Sequence, residues 1–351
     1  VSISGLSENM DKAMALVEEI INDIQPNEEV LKLMTGRILK SRENAKHNQQ
    51  RVFSALANYG IYGEASPTKD ILSEEQLKAY TCNQLCTAIH NLFNYRHRIL
   101  YYGPENIETL KSTVEKIHTM PTKFAKTPQN KKITPKSVSE NIVYFVDYNA
   151  NQTYLREHFR GEKFNTKIIP QLNIFNEYFG GSMNAIVFQE MREKRSLAYS
   201  AQSYYGTPGN KDGYFTNAAI IATQNDKLID ALEAFNELFD EMPVAENNFT
   251  LAKEGLINNI RTKRVTKMSI IYTYLNYEKM GYDTKKKTRD QILFETYPNM
   301  TMQDVIDFNH KYIKGQKKVY MCLGKESEMD FGALSKFGKV KKLQLEDIFG
   351  Y

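Results

Sequence analysis

Two stretches of the chain follow the same plan. "SENMDKAMALVEEIINDIQPNEE" begins at Ser7 and "TQNDKLIDALEAFNELFDEMPVAE" at Thr223. In the first, Met10, Ala13, Met14, Val17, Ile20, Ile21 and Ile24 recur at the spacing of one helix face. In the second, Leu228, Leu232, Phe235, Leu238, Phe239 and Met242 do the same. Each helix stops at a proline, Pro26 or Pro243, and a glutamate three places on, Glu29 or Glu246, suits the start of another. The parallel continues downstream. "TCNQLCTAIHNLF" from Thr81 and "TMQDVIDFNHKYI" from Thr301 both offer a threonine N-cap, with Gln84 or Asp304 three residues later. Each is followed by a basic-then-apolar strand pattern, "RHRILYYG" ending at Gly103 and "QKKVYMCLG" ending at Gly324. Elements agreeing in order and spacing this way imply a duplication.

The copies are unequal. Residues Ser137 to Gly213 precede the second copy and have no counterpart before the first. Either the first domain is a half-size variant or its opening strands lie upstream of Val1. The second case leaves a sheet edge near the N-terminus for the upstream segment or a neighbouring chain to cover. "SENIVYFVDY" and "QTYLREHFRG" read as strands, Thr166–Phe179 and Ser182–Lys194 as helices, and "LAYSAQSYYG" and "GYFTNAAIIAT" as strands joined by the turn-rich "TPGNKD". Strands and helices cluster rather than alternate. The expected class is α+β: duplicated two-layer domains with helices on one face of a mostly antiparallel sheet, the first copy incomplete. The expected partition is 1–121, a Lys-, Pro- and Thr-rich linker at 122–137, and 138–351.

At 351 residues the chain is long enough for two domains, and its 25% charged content is ordinary for a globular protein. A net charge of +4 is too small to argue for a nucleic-acid partner. The basic runs "TKKKTRD" and "NKKITPK" lack interleaved aromatics and read as solvated loops. Apolar runs such as "NAAIIA" fall far short of a membrane span. "VSISGLSENM" has no initiator Met and no signal-peptide core, so the chain reads as an excised or processed piece. A removed signal leaves no trace, so periplasm and cytoplasm both stay open for a bacterial protein. Cys82, Cys86 and Cys322 make no disulfide framework. Cys82, Cys86 and His90 could line one helix face as metal ligands, but soft-ligand sites usually draw paired ligands from turns. We read them as buried thiols.

Residues 179–200, "FGGSMNAIVFQEMREKRSLAYS", concentrate the chemistry. Gly180 and Gly181 suit a left-handed helix end, and Ser182 or Asn184 can cap the next helix. Along it Ala185, Phe188 and Met191, with Val187, form the expected buried face, with Arg192 beside that stripe. In the strand that follows, Leu197, Tyr199 and Ala201 share one side. Arg192 and Tyr199 can therefore project toward one region as hydrogen-bond donors for a carbonyl or carboxylate. The plainer alternative is a helix end whose cations complement the dipole, beside a buried strand tyrosine.

The same stretch closely resembles the signature of one half of the pitrilysin-type zinc peptidases, the superfamily that includes insulin-degrading enzyme and mitochondrial processing peptidase. Gly180, Gly181, Phe188, Gln189, Glu190, Arg192, Glu193, Lys194, Leu197, Ala198 and Tyr199 carry the pattern. The resemblance extends over essentially the whole chain, because that superfamily is itself built from duplicated α+β domains. It implies a clamshell of two halves closing over a peptide. One half holds zinc through an H-x-x-E-H motif with the intervening glutamate as general base. None of the six histidines here, His47, His90, His97, His118, His158 and His310, lies in such a motif. The chain thus resembles the non-catalytic half, in which an arginine and a tyrosine seven residues apart hold the substrate; by motif these are Arg192 and Tyr199. Gly180, Gly181, Phe188 and Glu190 take packing and capping roles. The resemblance implies no metal or catalytic residue in this segment. Zinc belongs to a separate catalytic half, lying upstream in the same chain or in a partner subunit, and the ligand is a peptide. The alternative is an inactive scaffold subunit of the same fold.

Overall fold

The computed structural model describes every residue except Thr284, which opens the "TKKKTRD" run and lies outside the described residues. The chain forms two compact units. Residues 1–44, 72–132 and 267–271 make one; residues 45–71, 133–266 and 272–351 make the other. The segment 45–71, which the sequence assigns to the first repeat, packs within the second unit.

The helices of the first part of the chain are α1 (Met10–Asn22), α2 (Glu28–Lys46), α3 (Gln49–Tyr62), α4 (Glu74–Ala79), α5 (Cys82–His90) and α6 (Ile107–Ile117). Thr81 caps α5 in a complete box. Its backbone N–H donates to Gln84 Oε1 at 2.9 Å and its hydroxyl accepts from the Gln84 N–H at 3.3 Å. Cys82 is half-buried, Cys86 is buried and both are free, whereas His90 is exposed.

One expectation fails here. Residues 96–103 form no strand; an isolated parallel bridge from Tyr95 to Ala125 is the β-structure near them. Their sequence suits a strand, but a strand exists only with a hydrogen-bonding neighbour. None of the described residues supplies one.

The second unit is built on six strands: β1 (Ile142–Asp147), β2 (Gln152–Lys163), β3 (Ser200–Gly206), β4 (Tyr214–Gln224), β5 (Val319–Gly324) and β6 (Lys339–Leu343). They lie in the order β3-β4-β2-β5-β1-β6. β1 runs parallel to β5 and β6, and the other pairs are antiparallel. Its helices are α7 (Ile169–Phe179), α8 (Ile186–Phe188), α9 (Leu228–Asp240), α10 (Glu246–Thr262), α11 (Met268–Lys279), α12 (Arg289–Thr296), α13 (Met302–Tyr312), α14 (Phe331–Leu334) and α15 (Leu345–Phe349). Lys267 and the first four residues of α11, Met268 to Ile271, group with the other unit.

The protein is α+β with a mostly antiparallel sheet, as its element order implies. The main core lies on one sheet face, where Leu155, Phe159, Ala219 and Ile221 meet Phe175, Phe179, Leu232, Phe235 and Phe308. The opposite face is covered as well: Phe53 and Leu56 of α3 and Phe349 of α15 pack with Val146, Val319, Met321 and Leu323. That second layer explains β5, buried at every position, because a strand covered on both faces reads as a continuous apolar run. Gly60 lets α3 approach, since a Cβ there would fall 2.2 Å from Met321 Sδ. Under α9, Lys318 Nζ reaches Glu157 Oε2 at 3.1 Å and Asn236 Oδ1 at 2.6 Å. Burial pushes the Glu157 carboxyl up, against the opposing pull of Lys318.

Candidate functional site

The site begins where α7 ends. Gly180 has φ −144° and Gly181 is not among the positive-φ glycines, so neither makes the expected left-handed cap. Their value is proximity. A Cβ on Gly180 would lie 2.1 Å from the Ser203 carbonyl oxygen, and one on Gly181 would lie 2.9 Å from the Asn176 carbonyl oxygen. Glycine therefore lets the helix end touch the backbone of edge strand β3. Asn176 of α7 completes that contact. Its carboxamide accepts from the Tyr205 N–H at 2.7 Å and donates to the Tyr205 carbonyl at 3.0 Å, imitating the peptide group of a neighbouring strand.

The next helix starts later than expected. Residues 182–185 form a turn, and α8 begins at Ile186 with Ala185 as its N-cap and no side-chain cap bond. Ser182 reaches back to the Glu177 carbonyl at 3.5 Å, and the Asn184 carbonyl accepts from Asn248 at 2.7 Å. α8 then widens into a π-helical turn over Gln189–Lys194. Such turns hold one residue more than an α-turn and are frequent at functional sites. Ala185, Val187 and Met191 are buried, whereas Phe188 is only half-buried.

Ser196, at φ 49°, turns the chain back in a conformation uncommon for a residue other than glycine. β3 starts at Ser200, so Leu197, Tyr199 and Ala201 do not share one strand face. Leu197 packs against the core, Ala201 is buried and Tyr199 is 75% exposed. A buried strand tyrosine is not what this position holds.

These turns bring Arg192 and Tyr199 together. The guanidinium carbon lies 4.9 Å from the Phe188 ring centroid and 5.4 Å from that of Tyr199, between two aromatic neighbours. Its side chain is 43% exposed, and Nε lies 3.5 Å from Glu193 Oε1. Glu190 is tucked beneath, its side chain 14% exposed, 2.5 Å from Lys194 Nζ and 4.0 Å from Arg195 Nε. Arg195 makes two parallel bonds to Glu237 of α9, at 2.8 and 3.0 Å. The guanidinium holds the Glu237 carboxyl below its ordinary range. The outcome is an exposed pair of donors on an anchored turn, able to hold a carbonyl or carboxylate oxygen.

Asn176, Arg195 and Ser196 also shape this region, and the sequence reading passed over them. Asn176 could have been noticed as a polar residue among Leu172, Phe175 and Phe179 on an otherwise apolar helix. The Arg195–Glu237 bond links residues 42 apart and leaves no local signal. No group of three His, Cys, Asp or Glu residues able to hold a metal occurs among the described residues. No helix of the described residues is long and apolar enough to cross a membrane.

Residues 96–256 match the family model described as the peptidase M16 inactive domain. Over 230 residues the chain is 28% identical to an uncharacterized zinc protease of Rickettsia felis, covering 64% of this chain and 53% of that protein. The chain thus spans about half the length of that curated relative. Among solved structures, it superposes on a peptidase M16 inactive domain from Pseudomonas fluorescens with a TM-score of 0.64 at 16% identity, covering 91% of this chain and 76% of that one. The periplasmic protease PqqL from Escherichia coli gives 0.65 at 14% identity, covering 91% of this chain and 35% of PqqL. At these identities the structures establish the fold.

Proposed function

The chain carries the non-catalytic half of the M16, pitrilysin-type, zinc peptidase fold, and from that premise we propose that it is the substrate-holding part of a zinc metalloendopeptidase. A second half bearing H-x-x-E-H would close over the peptide with it, from upstream in the same polypeptide or from a partner subunit. Residues 1–121 would then be an incomplete repeat, 122–137 a linker and 138–351 the complete domain carrying the site. One observation supports the reading most: Arg192 and Tyr199, seven residues apart, stand beside each other with the phenol in solvent.

Zinc in the other half would supply the activated water. This chain's part is to orient the peptide. Phe188 and Tyr199 limit the arc through which Arg192 can swing, so its remaining N–H groups are aimed before a ligand arrives. The phenol O–H adds a second donor. Both can bind a peptide carbonyl oxygen more strongly as negative charge develops on it.

The test is made in the assembled enzyme. Arg192→Ala and Tyr199→Phe should each lower kcat for peptide cleavage by about 10²–10³-fold, the usual effect of losing one such donor. Zinc content should stay unchanged. Unaltered cleavage in both variants would remove the role; a scaffold is instead what the absence of H-x-x-E-H from both the upstream sequence and any partner subunit would leave.

A further inference from the structure

The first unit links three titratable side chains into one hydrogen-bonded chain. His118, just past the end of α6, places Nδ1 2.6 Å from Glu18 Oε1 on α1. Its Nε2 lies 2.8 Å from His97 Nε2. His97 Nδ1 in turn lies 2.7 Å from the Tyr95 carbonyl oxygen. The group is enclosed. His118 is buried, the Glu18 side chain is 14% exposed, and the rings of Phe93 and Phe124 stand against the imidazoles.

Counting hydrogens across this chain exposes a shortfall. A carbonyl oxygen only accepts, so His97 Nδ1 carries a hydrogen, and in a neutral ring Nε2 is then a lone pair. An ionised Glu18 likewise only accepts, which places the His118 hydrogen on Nδ1 and a second lone pair on its Nε2. Two lone pairs facing each other at 2.8 Å repel. The contact becomes a hydrogen bond only with one more proton. If Glu18 is drawn protonated instead, His118 shifts its own hydrogen to Nε2 and the total is the same.

We propose that Glu18, His118 and His97 together hold one proton beyond an ionised carboxylate and two neutral imidazoles, and that this proton latches α1 to the segments carrying the two histidines. Carboxylate and imidazolium then cancel, and the buried cluster is neutral overall, as burial favours. Glu18 Oε2 is buried without a partner, so the carboxylate depends on His118. Other charged residues on the same segments are Asp11, Lys12 and Glu19 of α1, Glu108, Lys111, Glu115 and Lys116 of α6, Arg96 and Arg98 beside His97, and Lys123 beside Phe124. Glu18 is bonded directly to the His118 ring.

The sign follows from linkage. An unfolded histidine is neutral above about pH 6.5, so above it the folding chain must take up the latch's proton from solvent. Its contribution is therefore complete below that pH and is lost as pH rises further.

Hydrogen exchange of α1 in the full chain, corrected for intrinsic rates, reads this directly between pH 6.5 and 9. Wild-type protection should fall by up to about tenfold per pH unit over part of that range, the signature of one proton. His97→Gln can donate an amide N–H to His118 Nε2 without an extra proton, so its protection should not vary with pH. His90→Gln, at an exposed position on α5, should keep the wild-type profile. A flat wild-type profile, or an equal slope in His97→Gln, overturns the proposal. Should His97→Gln fail to fold, imidazole ¹⁵N spectra of the wild type decide: a lone-pair Nε2 signal from both His97 and His118 at pH 7 overturns it. So does stoichiometric zinc taken up by the dialysed wild type and lost on His97→Gln, because a metal would then occupy the proton's place.

Discussion

At Gly180 a single hydrogen atom in place of a methyl group keeps the end of α7 against β3. A Cβ there meets backbone rather than a flexible side chain, so the strand or the helix end must move. Gly180→Ala should destabilise the protein by about 2–3 kcal/mol, as overpacking does, and thermal unfolding measures it. A cost within about 0.5 kcal/mol, the range of an ordinary surface change, would contradict the close approach. His158 makes a second prediction at this scale. Burial and the Arg156 charge push it down to about 4, against the opposing effect of its bond to the Asn217 carbonyl at 2.9 Å. The unfolded chain takes up this proton near pH 6.5 and the folded chain only near 4, so stability present above 6.5 is lost as pH falls through that window. The loss is about 3 kcal/mol for this fully buried ring. Glu157, pushed up by burial, titrates in the opposite sense. The informative quantity is therefore the difference between wild type and His158→Gln in urea midpoints at pH 7.5 and 4.5. A difference independent of pH would refute the assignment.

At the scale of elements, capping was legible and helix starts near the site were not. Thr81 with Gln84 and Thr301 with Asp304 form the boxes their spacing predicts, because a capping box is a contact among neighbours in sequence. Ser182 and Asn184 have equally suitable side chains, yet α8 begins after both, since the contacts of Gly180 and Gly181 set where the chain leaves α7. The "RHRILYYG" segment fails for a related reason: its pattern specifies what a strand could present, not the neighbour it needs. Edge strand β3 shows the converse, with a side chain standing in for that neighbour. Replacing Asn176 with leucine would leave the Tyr205 N–H and C=O unpaired, costing about 1–3 kcal/mol. It would also open a strand edge to other chains. Asn176→Leu should melt earlier and scatter more light on heating than wild type; an unchanged melt would mean that the amide bonds contribute nothing.

For the whole molecule, the absence of H-x-x-E-H from the sequence carries its own expectation. The dialysed chain should retain only substoichiometric zinc and should cleave no peptide until a half bearing that motif is supplied. Tightly held stoichiometric zinc with unaided cleavage would contradict the division of labour proposed for the two halves. The sequence alone determined the α+β class, the places of helices α1, α2, α5, α9, α10 and α13, and the capping boxes of α5 and α13. Each of these rests on periodicity, capping or a short motif, all of which are local. Tertiary structure alone decided that α3 covers the far sheet face, that residues 96–103 stay outside any sheet, and that the two donors converge across a π-turn and a left-handed serine. Those outcomes depend on which surfaces meet, and hydrogen bonds and contacts between residues distant in sequence leave no periodic trace in it.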